Sequence, residues 1–152
     1  MAMSRFADTS FLFALYFPNE ASEAAARLAA EDCDRIVLSP LVVYEFQQAV
    51  WLDVFRYEHG YRDAVRRDQA YSGLAAFEIN LERGMFEVRA IAFEPLLAEA
   101  LRLTGVHTLR HGIRSMDILH LAAARLLGCS EFLSFDHLQR RVAELEGFSL
   151  PL

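Results

Sequence analysis

Asp117 and Asp136 bracket the stretch with the most chemistry in this 152-residue chain, RSMDILHLAAARLLGCSEFLSFD from Arg114 to Asp136. Ser115 reads as the cap of a helix whose first turn holds Asp117. Ile118, Leu121, Ala122, Arg125 and Leu126 recur at the i, i+3, i+4 spacing of a face that packs on a sheet. Gly128 stops the helix, as glycine does just past a helix end. Phe132 to Phe135 is a short buried strand, and Asp136 follows it at the start of the next helix. Two more acids hold comparable places: Asp8 ends the strand from Arg5, and Glu45 lies in the helix opened by Ser39-Pro40. In a parallel α/β sheet, helix starts gather at the carboxyl edge of the strands, where such folds place their sites. Acids separated in sequence then meet in space. A carboxylate-rich site with few fixed cations suits Mg²⁺ or Mn²⁺, hard ions that prefer oxygen ligands.

Each acid also has a purely local reading. Asp136 with Gln139 matches a D-x-x-Q capping box, and Asp117 is favoured near any helix N-terminus. Asp8 can cap the helix that follows it, and Glu45 can face solvent.

The elements that position these acids alternate between strand and helix. Arg5 to Asp8 is the first strand, with Thr9 and Ser10 at the turn into an apolar helix, Phe11 to Phe17. Pro18-Asn19 breaks that helix, and Asn19 is expected to cap a second one, Glu20 to Ala30. Asp32 to Asp34 is a turn before the second strand, Arg35 to Ser39. The next helix runs from Pro40, a residue allowed in the first turn, to about Tyr57. Gly60 to Arg83 reads as one long helix with Tyr61, Ala64, Val65, Tyr71, Ala75 and Ile79 on its apolar stripe, and Gly73 as a point where it bends or breaks. Phe86 to Ala92 is the third strand. Pro95 starts a helix that Gly105 ends, and Val106 to Ile113 is a polar loop. His137 to Glu146 is the last helix, and Phe148 to Leu150 a final edge strand. The pattern predicts one domain over residues 1–152, an α/β fold with a parallel sheet covered on both faces.

Composition narrows the class. Hydrophobic residues make up 54% of the chain, more than one core of this size needs, so the surplus is assigned to a subunit or partner interface. The helix from Phe46 to Tyr57 and the one after Gly60 are the candidates. No run approaches the roughly 18–20 apolar residues of a membrane span, and the short run Phe11 to Phe17 after Asp8 is not a signal peptide. Cys33 and Cys129 form no metal or redox motif and suit a reducing cytoplasm. The net charge of −6 argues globally against nucleic acid, although binding depends on local patches. All fifteen basic residues are arginine.

The pieces ADTSFL around Asp8, VVYEFQQAV around Glu45, and the stretch from Arg114 to Asp136 together resemble the PIN-domain ribonucleases, most closely the VapC-like toxins of bacterial toxin–antitoxin pairs. The last piece carries the most weight, because acid, His-Leu-Ala helix, glycine, apolar strand and second acid stand there in fixed order. The resemblance implies a three-layer α/β/α sandwich around a parallel sheet of about five strands. It also implies a Mg²⁺- or Mn²⁺-dependent endoribonuclease with metal-binding acids at Asp8, Glu45, Asp117 and Asp136. The family's hydroxyl after the first acid matches Thr9 or Ser10, although Ser10 stands where many members have asparagine. A homodimer and a small antitoxin partner are implied as well.

The surrounding residues admit graded roles. His120, three residues after Asp117, is either a bonded core histidine or support for an acid. Arg110, His111 and Arg114 read as a phosphate-contacting loop. Arg62, Arg66 and Arg67 read as a solvated helix face, with RNA tracking as the alternative, and Trp51, Phe55, Tyr57 and Tyr61 as core or interface, with stacking on bases as the alternative. His107 and His111 lack the further ligands zinc needs. Two alternatives stand beside the nuclease: a PIN-fold RNA- or protein-binding module without activity, and a haloacid-dehalogenase-like phosphatase. The latter wants a second aspartate two residues after Asp8, where this chain has Ser10.

Overall fold

The computed structural model describes residues 4–31 and 35–151. The expected turn at Asp32–Asp34, with Cys33, lies outside them. In chain order the elements are β1 (Arg5–Ala7), α1 (Thr9–Tyr16), α2 (Ser22–Ala30), β2 (Ile36–Leu38), α3 (Pro40–Glu58), α4 (Arg67–Glu82), β3 (Phe86–Val88) and α5 (Phe93–Leu103). A π-helical turn (Thr104–Thr108), α6 (Leu109–His111), α7 (Ser115–Leu126), β4 (Glu131–Leu133) and α8 (His137–Leu145) complete the chain.

The four strands are all parallel in the order β3-β2-β1-β4. A parallel bridge between Glu131 and Ser149 adds the rudiment of a fifth strand beside β4. This order explains the layering. From β1 to β2 to β3 the chain steps in one direction, and right-handed crossovers put α1 to α4 on one face. From β3 it returns past β2 and β1 to β4, so α5 and α7 fall on the other. The helix contacts follow this division: α1 packs on α2, α3 and α4, while α5 packs on α7. The result is a three-layer α/β/α sandwich, as the sequence resemblance implied.

Strands buried on both sides read as continuous apolar runs, and β1, β2 and β4 are buried throughout. On the α1–α4 side Phe77 is the hub, with its ring centroid 5.2 Å from Phe46, 5.6 Å from Tyr16 and 5.7 Å from Phe86. On α7 the five consecutive residues His120 to Ala124 are all buried. Small alanines let this helix lie close to its neighbour α5, and Arg125 and Leu126, expected on its packed face, are exposed. At the opposite edge of the sheet Arg5 is buried, and pairs with Glu131 at 3.0 Å and Glu31 at 2.5 Å.

Several boundaries differ from the sequence reading. The long helix expected from Gly60 does not form as one piece. Gly60 has φ +104° and turns the chain after α3, residues 61–66 are irregular, and α4 begins at Arg67. Its buried face is Ala70, Gly73 and Phe77, whereas Tyr71, Ala75 and Ile79 are exposed. Gly73 neither bends nor breaks α4; a Cβ there would stand 2.5 Å from the Phe17 ring. Asn19 caps no helix, because α2 starts three residues later; its side chain accepts from the Ala21 N–H and shapes the preceding turn. Ser115 is the first helical residue rather than the cap. The segment expected as a loop after Gly105 is helical, a π turn running into α6. His107 in it is buried and bonds Glu146 at 2.6 Å, which rules out its use with His111 as a ligand pair.

Candidate active site

The topology has one switch point. β1 and β4 are neighbours, but the chain leaves β1 toward one face and reaches β4 from the other. Such a crevice at the carboxyl ends of the strands is where open α/β sheets bind ligands. A cleft of about 530 Å³ lies there, and Asp8, Glu45, Asp117 and Asp136 all line it, with Thr9, Ser10, Arg114, His120 and Gln139. The four acids thus share one cleft, although Asp8 and Asp136 cap α1 and α8 while Glu45 and Asp117 lie in α3 and α7.

Asp8 stands at the end of β1 and is 2% exposed. It caps α1 by accepting from the Phe11 N–H at 2.9 Å, and it also accepts from Ser10 at 2.7 Å and Ser134 at 2.6 Å. The local capping reading therefore holds together with the site reading. Burial pushes its carboxyl up to about 6, against the pull of these three hydrogen bonds and of His120. Asp117 is also raised by burial; Arg114 opposes the shift, and the nearby Asp136 and Glu45 add to it.

Glu45 projects from the second turn of α3. Burial would raise it, but hydrogen bonds from His120 and Thr9 outweigh that and hold it below the usual glutamate range. His120 Nε2 lies 2.5 Å from Glu45 Oε2, and its Nδ1 is buried without a partner among the described residues.

Asp136 caps α8 by accepting from the Gln139 N–H at 2.8 Å. The expected capping box is only half made, because the Gln139 side chain turns inward. Its Nε2 donates to the Asp117 main-chain oxygen at 3.3 Å, and its Oε1 lies 3.5 Å from the Ser134 hydroxyl. Ser134 in turn donates to Asp8 and accepts from the Asp136 N–H. Gln139 and Ser134 thus tie three of the four acids into one frame. Sequence reading missed both as site residues. Buried polar side chains beside an acid were the available signal, but Gln139 already had an explanation as a cap.

Ser10 donates to Asp8 and accepts from the Phe135 N–H. No carboxyl stands where a dehalogenase-like phosphatase needs its second aspartate. Of the three basic residues expected to contact phosphate, Arg114 alone reaches the cleft. Its guanidinium lies 3.2 Å from Asp117 and 4.0 Å from Asp136. Arg110 is exposed on α6, and His111 lies beside His107, with ring centroids 5.8 Å apart.

Among the described residues, no three His, Cys, Asp or Glu side chains are close enough to hold a metal ion as they stand. The hydrogen bonds account for this, since every acid of the cleft is turned onto a protein donor. The chemistry of the donor set still fits a hard divalent cation. It offers carboxylate oxygens from four elements, one exposed guanidinium among them, and two acids that burial makes costly to ionise without a counterion.

A PIN-domain family model matches residues 5–145, and the chain belongs to the PIN-domain family. Solved structures share the fold over nearly the whole length. VapC20 of Mycobacterium tuberculosis, described as a toxin that cleaves the sarcin-ricin loop, is 22% identical with a TM-score of 0.68, covering 96% of this chain and 97% of that one. FitAcB of Neisseria gonorrhoeae is 16% identical with a TM-score of 0.62, covering 96% and 95%. VapBC2 of Rickettsia felis, solved with a DNA fragment of its promoter, is 16% identical with a TM-score of 0.62, covering 97% of each chain. No curated protein matches the chain by sequence.

Proposed function

We propose that the protein is a Mg²⁺- or Mn²⁺-dependent endoribonuclease and the toxin of a toxin–antitoxin pair, acting in the cytoplasm. The observation that carries this reading is the meeting of Asp8, Glu45, Asp117 and Asp136 in one cleft at the switch point of the sheet. The toxins and toxin–antitoxin complexes among the similar folds support the biological role. No helix among the described residues is long and apolar enough to cross a membrane.

Bound between these acids, a divalent ion would supply an activated water and offset the charge developing on a phosphodiester. The protein's own residues do the rest. Asp8 and Asp117 would hold the ion directly, and Asp136 would extend the set. Glu45 is a ligand through water or a general base, with its oxygen aimed by His120 and Thr9. Ser10, Ser134 and Gln139 fix Asp8, Asp136 and the first turn of α7 relative to one another. Arg114, exposed and paired with Asp117, can trade that contact for a substrate phosphate.

The test is RNA hydrolysis by the purified protein with EDTA and with millimolar Mn²⁺, for wild type and Asp117→Asn. Cleavage that needs Mn²⁺ and vanishes in the variant supports the proposal. Equal cleavage by both proteins, or none by either, would sink it.

Assembly belongs to the same reading. Trp51, Leu52 and Phe55 on α3 and Tyr71 on α4 are exposed apolar side chains, and they form the surface for a second copy or an antitoxin segment. Light scattering at micromolar concentration should give the mass of a dimer; a strict monomer counts against this part.

A further inference from the structure

A second hollow of about 340 Å³ adjoins the acidic cleft, and the two share Phe13 and Asn19 in their walls. The hollow is lined further by Phe17, Tyr57, Arg62 and Arg66, with Asp53 and Asp63 among its acids. Two of these charges are already engaged. Arg66 pairs with Asp68 at 3.0 Å, and Asp53 accepts from the Val65 N–H at 2.9 Å. Arg62 has no carboxylate partner among the described residues, and its guanidinium lies over the Tyr57 ring, 5.2 Å from the centroid. Where the two hollows join, Asn19 spends its side-chain oxygen on Ala21, which leaves its NH₂ without a partner among the described residues.

We propose that this second hollow is a distal nucleotide subsite of the cleft, taking one nucleotide of a single-stranded RNA whose scissile phosphate lies at the acids. This rests on the ribonuclease reading above. Unpaired bases are recognised by stacking on aromatic rings and on guanidinium planes, and the Tyr57–Arg62 pair presents both. Arg62 supplies the one uncommitted positive charge for a phosphate, and the Asn19 NH₂ supplies a donor on the path between. Asp63 brings the hollow close to electroneutrality, so it suits one stacked nucleotide rather than a run of phosphates. Sequence reading had placed Arg62 on a solvated helix face, with RNA tracking as the alternative, and Tyr57 in the core or an interface, with base stacking as the alternative. Their pairing depends on the irregular segment after Gly60, which that reading took as helix.

The experiment measures fluorescence anisotropy of labelled single-stranded RNAs of two and twelve nucleotides, in EDTA to prevent cleavage. The proteins are wild type, Arg62→Gln and Tyr57→Leu. The longer RNA should lose affinity on the order of ten-fold in either variant. For Arg62→Gln the slope of log K against log salt should shrink by about 0.7, the value of one phosphate on a single strand. The two-nucleotide RNA, whose single phosphate lies at the acids, should bind all three proteins alike. Arg62 is exposed, so this variant reads out the subsite even if Tyr57→Leu does not fold. Unchanged affinity of the longer RNA for Arg62→Gln overturns the subsite, as does an equal loss for both lengths. A hollow that serves a peptide of a protein partner gives the first of these results. Failure of the nuclease reading looks different: wild type itself then shows no Mn²⁺-dependent hydrolysis of either RNA.

Discussion

His120 Nε2 lies 2.5 Å from Glu45 Oε2, joining α7 on one face of the sheet to α3 on the other. The bond crosses the carboxyl edge where the two helix layers approach each other. His120 is 1% exposed and Glu45 only partly covered. The buried ring is therefore the fixed member, and it aims the acid.

Replacing the ring should release Glu45 without emptying the cleft of charge. His120→Leu removes a hydrogen bond to a charged group, worth about 1.5–3 kcal/mol, and should lower the melting temperature. RNA hydrolysis should fall by at least ten-fold. His120→Gln, able to donate to the same oxygen, should recover part of both. Equal damage in the two variants would show that ring packing, not the bond to Glu45, is what matters.

Asp8 gives the metal-free protein a pH dependence of definite sign. Its carboxyl is raised from 3.8 to about 6, so the folded state holds this proton more tightly than the unfolded chain. Kept ionised, the buried group costs on the order of 3 kcal/mol. That burden is present above pH 6 and lifts as the pH falls through 6 toward 4; the raised Asp117 acts in the same direction. In EDTA, stability from urea melts should increase between pH 7.5 and pH 5. Asp8→Asn should flatten the profile, and a wild-type profile already flat would contradict the assigned cause.

Gln139 links the first turn of α7 to the start of α8, so its loss should loosen the site more than the fold. Gln139→Leu keeps the volume and leaves the main-chain N–H to Asp136. The stability cost should be about 1 kcal/mol. The rise in melting temperature on adding Mn²⁺ should shrink by more than that cost explains, because the acids are no longer held together. A full Mn²⁺ shift in the variant would reduce Gln139 to a packing residue.

Glu146 supplies a control far from the cleft. It accepts from Arg102 at 2.6 Å, His107 at 2.6 Å and Arg125 at 3.2 Å, pinning α5, the π turn and α7 to the end of α8. Burial would raise this carboxyl, but Arg102 and His107 hold it below the usual glutamate range. Its contribution is present near neutrality and lost as the pH falls below about 4.5, opposite in sign to Asp8. Glu146→Gln should destabilise by about 1–3 kcal/mol and leave Mn²⁺-induced stabilisation and hydrolysis per folded molecule unchanged.

The four acids were legible in the sequence because Asp8, Asp117 and Asp136 sit at a strand end or helix start, and Glu45 in the second turn of a helix, places that local pattern alone can assign. Their meeting at a switch point was not, since strand order depends on which crossover reverses direction. The helix after Gly60 was misread for a related reason. Tyr71, Ala75 and Ile79 keep helical spacing on a solvent-facing side, and periodicity does not say which face is covered. Arg114 was found through its position before Asp117. Arg110 and His111 were grouped with it because a loop was expected where a π turn and α6 carry them elsewhere. Gln139 went unnoticed because one local role, the helix cap, already accounted for it.

Gly73 has no side chain, and the Phe17 ring occupies the space where one would be. Alanine there would gain up to about 1 kcal/mol of helix propensity, yet its methyl group would drive the ring away from α4. Phe17 forms part of the wall of the second hollow. The width of that hollow is therefore set from behind, by a missing methyl on a helix that turns its other face to solvent. A routine stabilising substitution on α4 would thus act as a change of pocket shape.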